Sequence, residues 1–212
     1  MAIVPVNDLE IVQGKTYQQV FRWEDKPIVR KPITGISFAS GAPVLNVVGH
    51  GLTNGWRSAV FGVKGPAQLN ATSNPPRKGD YRAATVVDTD HIEFNSVDPF
   101  DAAGKMWSEW VSGGFLQYFT AVNLTGMTAR MSLKDKPGGT ELFRFESSGV
   151  SPHGNILIDN TAKTITLVAS DLLTAALAAR KYVYDLEMIS VAGVVSAIST
   201  GIVTVVREIT TP

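Results

Sequence analysis

The chain has 212 residues, with 19 Lys+Arg against 19 Asp+Glu, a formal net charge of zero, 44% hydrophobic residues and no cysteine. The apolar share is that of a globular protein and argues against disorder, and the balanced charge gives no basic field with which to displace counterions from nucleic acid. The lack of cysteine excludes a disulfide framework and a Cys-ligated zinc site.

In chain order, Met1 to Asp8 have neither a basic n-region nor a long apolar h-region, so they do not read as a signal peptide. Apolar runs break well short of the roughly 20 residues that span a bilayer. A soluble chain made in the cytoplasm is expected. Leu9 to Gln13 reads as a short strand closed by Gly14. Tyr17, Gln19, Phe21 and Trp23 alternate with Gln18, Val20, Arg22 and Glu24, the pattern of a strand covered on one side. Pro27 and Pro32 fence off a short edge piece.

From Ser40 the texture becomes rich in Gly, Pro and Asn. Strand candidates here are Val44–Val48, Ser58–Val63, Tyr81–Val87 and His91–Asn95, with Asp88-Thr89-Asp90 as a hairpin turn. Asn74 to Asp80 reads as an exposed loop, and the Trp107/Trp110 stretch ends at Gly113-Gly114. Beyond it come Phe115–Thr120, Thr128–Lys134, a Gly138-Gly139 turn and Lys163–Val168. The one convincing helix is Ser170 to Ala179. Ser170 or Asp171 caps it, Leu172, Leu173, Ala176 and Leu177 form its apolar face, and Arg180-Lys181 suits its C-terminal dipole. Tyr182–Met188 and Gly201–Ile209 complete the strands.

The residues before Ser40 supply only two or three strands, too few for a core of their own. With about six after Phe115 they make the seven or so of an immunoglobulin-like sandwich. The expected fold is all-β: a sandwich from residues 1–39 plus 115–212, with one short helix, interrupted by a small β-barrel at 40–114. Insertions succeed where chain ends lie close together. Three consecutive β-units are the rival arrangement. Leu133, Ile165, Leu167, Leu186 and Val205 are expected on the buried face, where every second side chain points inward.

Chemistry-bearing residues are sparse. His50, His91 and His153 are far apart, and none has an i+2 or i+4 ligand partner. Asp88 and Asp90 suit a hard cation, but a hairpin tip also selects Asp for its local backbone hydrogen bonds. No nucleophile elbow, phosphate loop or dinucleotide glycine pattern occurs, and Gly62 to Gly65 leads into no helix whose amides could hold phosphate. Spacing along a strand does not make Glu141 and Glu146 a glycosidase pair. Lys78-Gly-Asp80 is a short adhesion-like string that a solvated turn explains. No catalytic, cofactor-binding or metal residue is assigned, and no cofactor is expected. Trp23 and Trp56 read as core. Trp107 and Trp110 sit in a Gly/Ser-rich stretch, either plugging the barrel or anchoring an interface, where Trp is enriched. With Arg144 they are the interface candidates.

Val122 to Lys134, Ile165–Leu167 and Tyr182-Val-Tyr-Asp-Leu-Glu187 resemble a domain that recurs in baseplate and tail proteins of tailed bacteriophages. In that pattern a Tyr stands where this chain has Met127. The stretch with His50-Gly-Leu-Thr-Asn-Gly-Trp56, Val60 to Gly65, Asn70, Tyr81 and Phe94 resembles a small structural β-barrel of phage proteins, related to one in ubiquitin-activating enzymes. The resemblance implies a non-enzymatic virion part of tail, baseplate or neck. Its partners would be other virion proteins and further copies of itself, with no nucleic acid or membrane. A surface-displayed module recognising host glycan or capsid is the alternative, and a carboxylate hydrolase the third reading.

Overall fold

The computed structural model describes residues 6–148 and 152–209. The protein is all-β with one short helix. Its strands are Leu9–Val12 (β1), Tyr17–Phe21 (β2), Glu24–Pro32 (β3), Gly35–Ser37 (β4), Val44–Asn46 (β5), Trp56–Phe61 (β6), Arg82–Val86 (β7) and His91–Glu93 (β8). There follow Phe115–Ala121 (β9), Thr128–Lys134 (β10), Glu141–Glu146 (β11), Gly154–Asp159 (β12), Thr164–Ala169 (β13), the helix Asp171–Ala175 (α1), Lys181–Ile189 (β14) and Val195–Val206 (β15). They form two compact units: residues 1–23 with 123–212, and residues 24–122.

The two-segment unit holds one eight-stranded sheet, ordered β1-β15-β14-β10-β11-β12-β13-β2. β1 and β2 are its opposite edges, yet residues 13–16 alone join them, so the sheet must curl back on itself. In a flat sheet β2 and β11, three strands apart, would be separated by about 14 Å. The rings of Tyr17 on β2 and Phe145 on β11 are instead 6.1 Å apart. Between them, β11 meets β12 through only two parallel pairs, Phe145 with Gly154 and Glu146 with Asn155. A Cβ on Gly154 would stand 2.4 Å from Cδ1 of Phe145, so the strand lies directly on the ring. Met131, Leu133, Phe145, Ile156, Ile165, Leu167, Tyr184, Leu186, Val203 and Val205 fill the interior, including all five residues expected there.

The helix is shorter than its periodicity predicts. The Ser170 hydroxyl accepts from the Leu173 amide at 3.3 Å, as expected of its cap. With only five residues, though, no continuous apolar stripe develops. Leu172 is 79% exposed, while Thr174 and Leu177 are buried. The Thr174 hydroxyl donates to the Lys15 carbonyl at 2.8 Å, so a polar bond holds the helix to the β1–β2 turn.

The continuous unit holds a seven-stranded sheet, ordered β3-β9-β6-β7-β8-β5-β4. Its edges, β3 and β4, are joined by Ile33 and Thr34 alone, so this sheet too curls, into a nearly closed barrel. Leu45, Val47, Trp56, Val60, Leu69, Ile92, Phe94, Leu116 and Tyr118 fill it. Residues 24–39 and 115–122, expected in the sandwich, belong here. β9 pairs with β3 and β6, and its Leu116 and Tyr118 point into the barrel core. Pro27 and Pro32 lie on β3, at an edge of the sheet, where a missing amide is tolerated.

Candidate interaction surfaces

The loops that carry the candidate chemistry owe their shape to their own carboxylates. Asp88 Oδ1 accepts from the amides of Asp90 (2.8 Å) and His91 (2.9 Å) and contacts His91 Nδ1 at 2.9 Å. These bonds, the Asp90 amide first, hold the Asp88 carboxyl below its usual range. Asp90 Oδ1 accepts from the Gly49 amide at 2.8 Å. Both side chains brace the β7–β8 hairpin and the neighbouring loop, as expected of turn aspartates. His50 is buried. Its Nδ1 accepts from the Leu52 amide at 3.0 Å, so its Nε2 carries the proton and donates to the Asp88 carbonyl at 2.9 Å.

Asp80 is buried where a solvated turn was expected. Its carboxylate accepts from the Thr72 amide (2.9 Å), the Thr72 hydroxyl (2.8 Å), the Ser73 hydroxyl (3.3 Å) and the Arg77 amide (2.8 Å). The Thr72 and Arg77 amides lead in lowering its pKa to about 2. The Lys78-Gly-Asp80 string therefore shows solvent its lysine and glycine while the aspartate clamps the loop from within.

Arg144 sits within β11, not in a loop. Its Nη2 donates to Glu141 Oε2 at 2.9 Å, and its Nη1 stands 3.9 Å from Glu146 Oε2. Glu141 also accepts from the Ser132 hydroxyl. Burial opposes ionisation of Glu141, but the bonds from Arg144 and Ser132 outweigh it and hold its carboxyl below the usual range. Arg144 thus joins the two glutamates along its own strand, while Arg130 on β10, opposite Glu146, reaches across to Glu187 on β14 at 2.7 Å. Among the described residues no group of three or more His, Cys, Asp or Glu is placed to hold a metal ion.

Trp107 and Trp110 lie on the long connection between β8 and β9. Both are half-buried and pack against the barrel cluster. Trp107 meets the edge of Phe38 at 6.4 Å, and Trp110 Nε1 donates to the Gly113 carbonyl at 3.0 Å. This connection is zipped to the segment after β6: the Lys64 amide donates to Ser112 (3.0 Å) and the Val111 amide to Lys64 (2.9 Å). Gly65, at φ +106°, makes that approach possible, since a Cβ there would lie 2.0 Å from the Glu109 carbonyl oxygen. Phe100, Met106 and Val111, the last 71% exposed, form an apolar rim along the same connection. Ile36, Ser37, Phe38 and Ala39 face Met106, Glu109 and Trp110 across a cleft of about 380 Å³.

A second apolar feature, not among the residues expected at an interface, lies at the β14–β15 turn. The β14–β15 hairpin is closed by the Ser190 amide donating to the Val194 carbonyl at 2.9 Å, and exposes Val191 (82%), Val194 (61%) and Val195. The signal was the run Val191 to Val195 between two strands, where polar turn residues are usual.

No protein-family model matches the chain, and a search of curated proteins finds no match.

Proposed function

We propose that this chain is a structural component of a tailed-phage virion, in tail, baseplate or neck, acting by self-association and by docking on neighbouring virion proteins. The observation that carries the reading is the Trp107–Trp110 connection. Two tryptophans are fixed on the barrel by packing and hydrogen bonds, beside an exposed apolar rim. Such pre-ordered aromatics are the usual anchors of protein–protein contacts. The valine hairpin adds a second apolar contact. The family resemblance of residues 122–134 and 182–187 supports a virion setting. Glu141 and Glu146, the pair weighed for a hydrolase, face Arg144 instead.

The cleft beside Trp110 favours a second reading, a surface-displayed module recognising host glycan or capsid. Size-exclusion chromatography with light scattering, followed by a glycan-binding screen, separates the two. Assembly requires an oligomer whose mass falls with dilution and with Trp110→Ala. A monomer at every concentration that binds sugar would favour the module.

A further inference from the structure

We infer that the cleft between β4 and the Trp110 segment receives a cationic side chain, a lysine or similar alkylammonium, presented by a docking protein. For the source of the cation the inference rests on the docking reading above. Ile36, Phe38 and Ala39 on one side and Met106 on the other give the cleft apolar wall, with Trp110 beside them. Tryptophan is the ring that attracts an ammonium most strongly. Glu109 supplies the charge. Every other carboxylate of the continuous unit is engaged: Glu24 with Arg57, Asp25 with the Lys26 amide, Glu93 with Ser40, and Asp80, Asp88, Asp90, Asp98 and Asp101 with backbone amides. Among the described carboxylates of the continuous unit, Glu109 alone accepts no hydrogen bond and forms no ion pair, and it lines the cleft beside Trp110. The continuous unit thus leaves one carboxylate without a partner, and it borders a cleft of about 380 Å³, room for an alkyl stem with its ammonium head. The same unit already seats cations on rings, with Arg57 5.0 Å from the Tyr81 centroid and Arg30 5.2 Å from that of Phe115.

The test is a nuclear magnetic resonance titration of the full chain, following the Trp110 indole N–H and the Met106 methyl. The probes are Nα-acetyl-lysine methylamide, the neutral Nα-acetyl-norleucine methylamide, and a neutral disaccharide. The lysine probe is expected to move both signals saturably while the norleucine probe does not. Glu109→Gln, a change at an exposed side chain, is expected to weaken the lysine probe roughly two- to fivefold, the range of an exposed ion pair. No shift with the lysine probe, or an equal shift with norleucine, overturns the inference. A shift with the disaccharide alone also overturns it and supports the glycan module. An oligomer that shows no lysine response refutes the cation site and leaves assembly standing. A lysine response in a persistent monomer keeps the site and refutes assembly.

Discussion

Gly65→Ala should detach the Trp110 segment from the barrel. The new Cβ would stand 2.0 Å from the Glu109 carbonyl oxygen, 3.0 Å from its carbonyl carbon and 3.1 Å from Trp110 Cα. All three are backbone atoms, so no side chain can swing aside. At φ +106° the alanine is also strained in its own right, by about 1–3 kcal/mol. If residues 109–112 withdraw, the two bonds to Lys64 are lost, each worth about 0.5–1.5 kcal/mol. The expected cost is roughly 2–6 kcal/mol for complete detachment. Gly104→Ala is the control. It lies in the same connection at φ +75° with nothing within 4 Å, so it should cost only the left-handed penalty of about 1–2 kcal/mol. Urea unfolding followed by circular dichroism gives both costs, and the Trp110 indole resonance reports the segment directly. If Gly65→Ala costs no more than Gly104→Ala and the indole signal stays in place, close backbone approach is not what holds the segment.

Other outcomes follow from the packing and the charges. Leu167→Ala and Leu186→Ala, both fully buried, should each cost about 2–5 kcal/mol in urea unfolding, and midpoints near wild type would contradict their core placement. Deleting residues 24–122 and joining 23 to 123 with a short glycine linker should leave a cooperatively melting β-fold, because Glu24 and Ala121 are paired residues about 5 Å apart; an unfolded circular dichroism spectrum would refute this. Asp80 has its carboxyl lowered to about 2, so its contribution is complete above the usual carboxylate range and is lost as pH falls from about 4 toward about 2. Melting temperature should therefore fall more steeply across that window for wild type than for Asp80→Asn, and parallel curves would show that the clamp adds nothing. Trp110→Ala should weaken self-association or partner binding by more than about 1 kcal/mol, whereas a lowered melting temperature with unchanged association would make Trp110 a plug of the barrel.

Much of the fold was legible because period-two alternation is a local signal. Thr128–Lys134, Tyr182–Met188 and the inward placing of Leu133 and Leu186 follow from it directly. The membership of a strand is not local. Phe115–Ala121 alternates equally well for either sheet, and only its pairing with β3 and β6 places it in the barrel. The strands β11 and β12 were passed over because they lie between Gly- and Ser-rich stretches, and their two-pair parallel contact has no sequence signature. Among site residues, the Asp88 turn was readable from its type and position. The burial of Asp80 was not, because its partners Thr72 and Ser73 lie outside the three-residue string that drew notice. Arg144 looked like a loop residue only because β11 had been missed.

As a proposed virion part, this chain must travel with the particle. Density-gradient purification of phage particles carrying its gene, followed by quantitative peptide mass spectrometry, tests it most directly. The chain should band with the particles at a fixed copy number relative to other virion proteins, and Trp110→Ala should lower that number. A chain absent from the particles and recovered only as a free monomer would contradict the account.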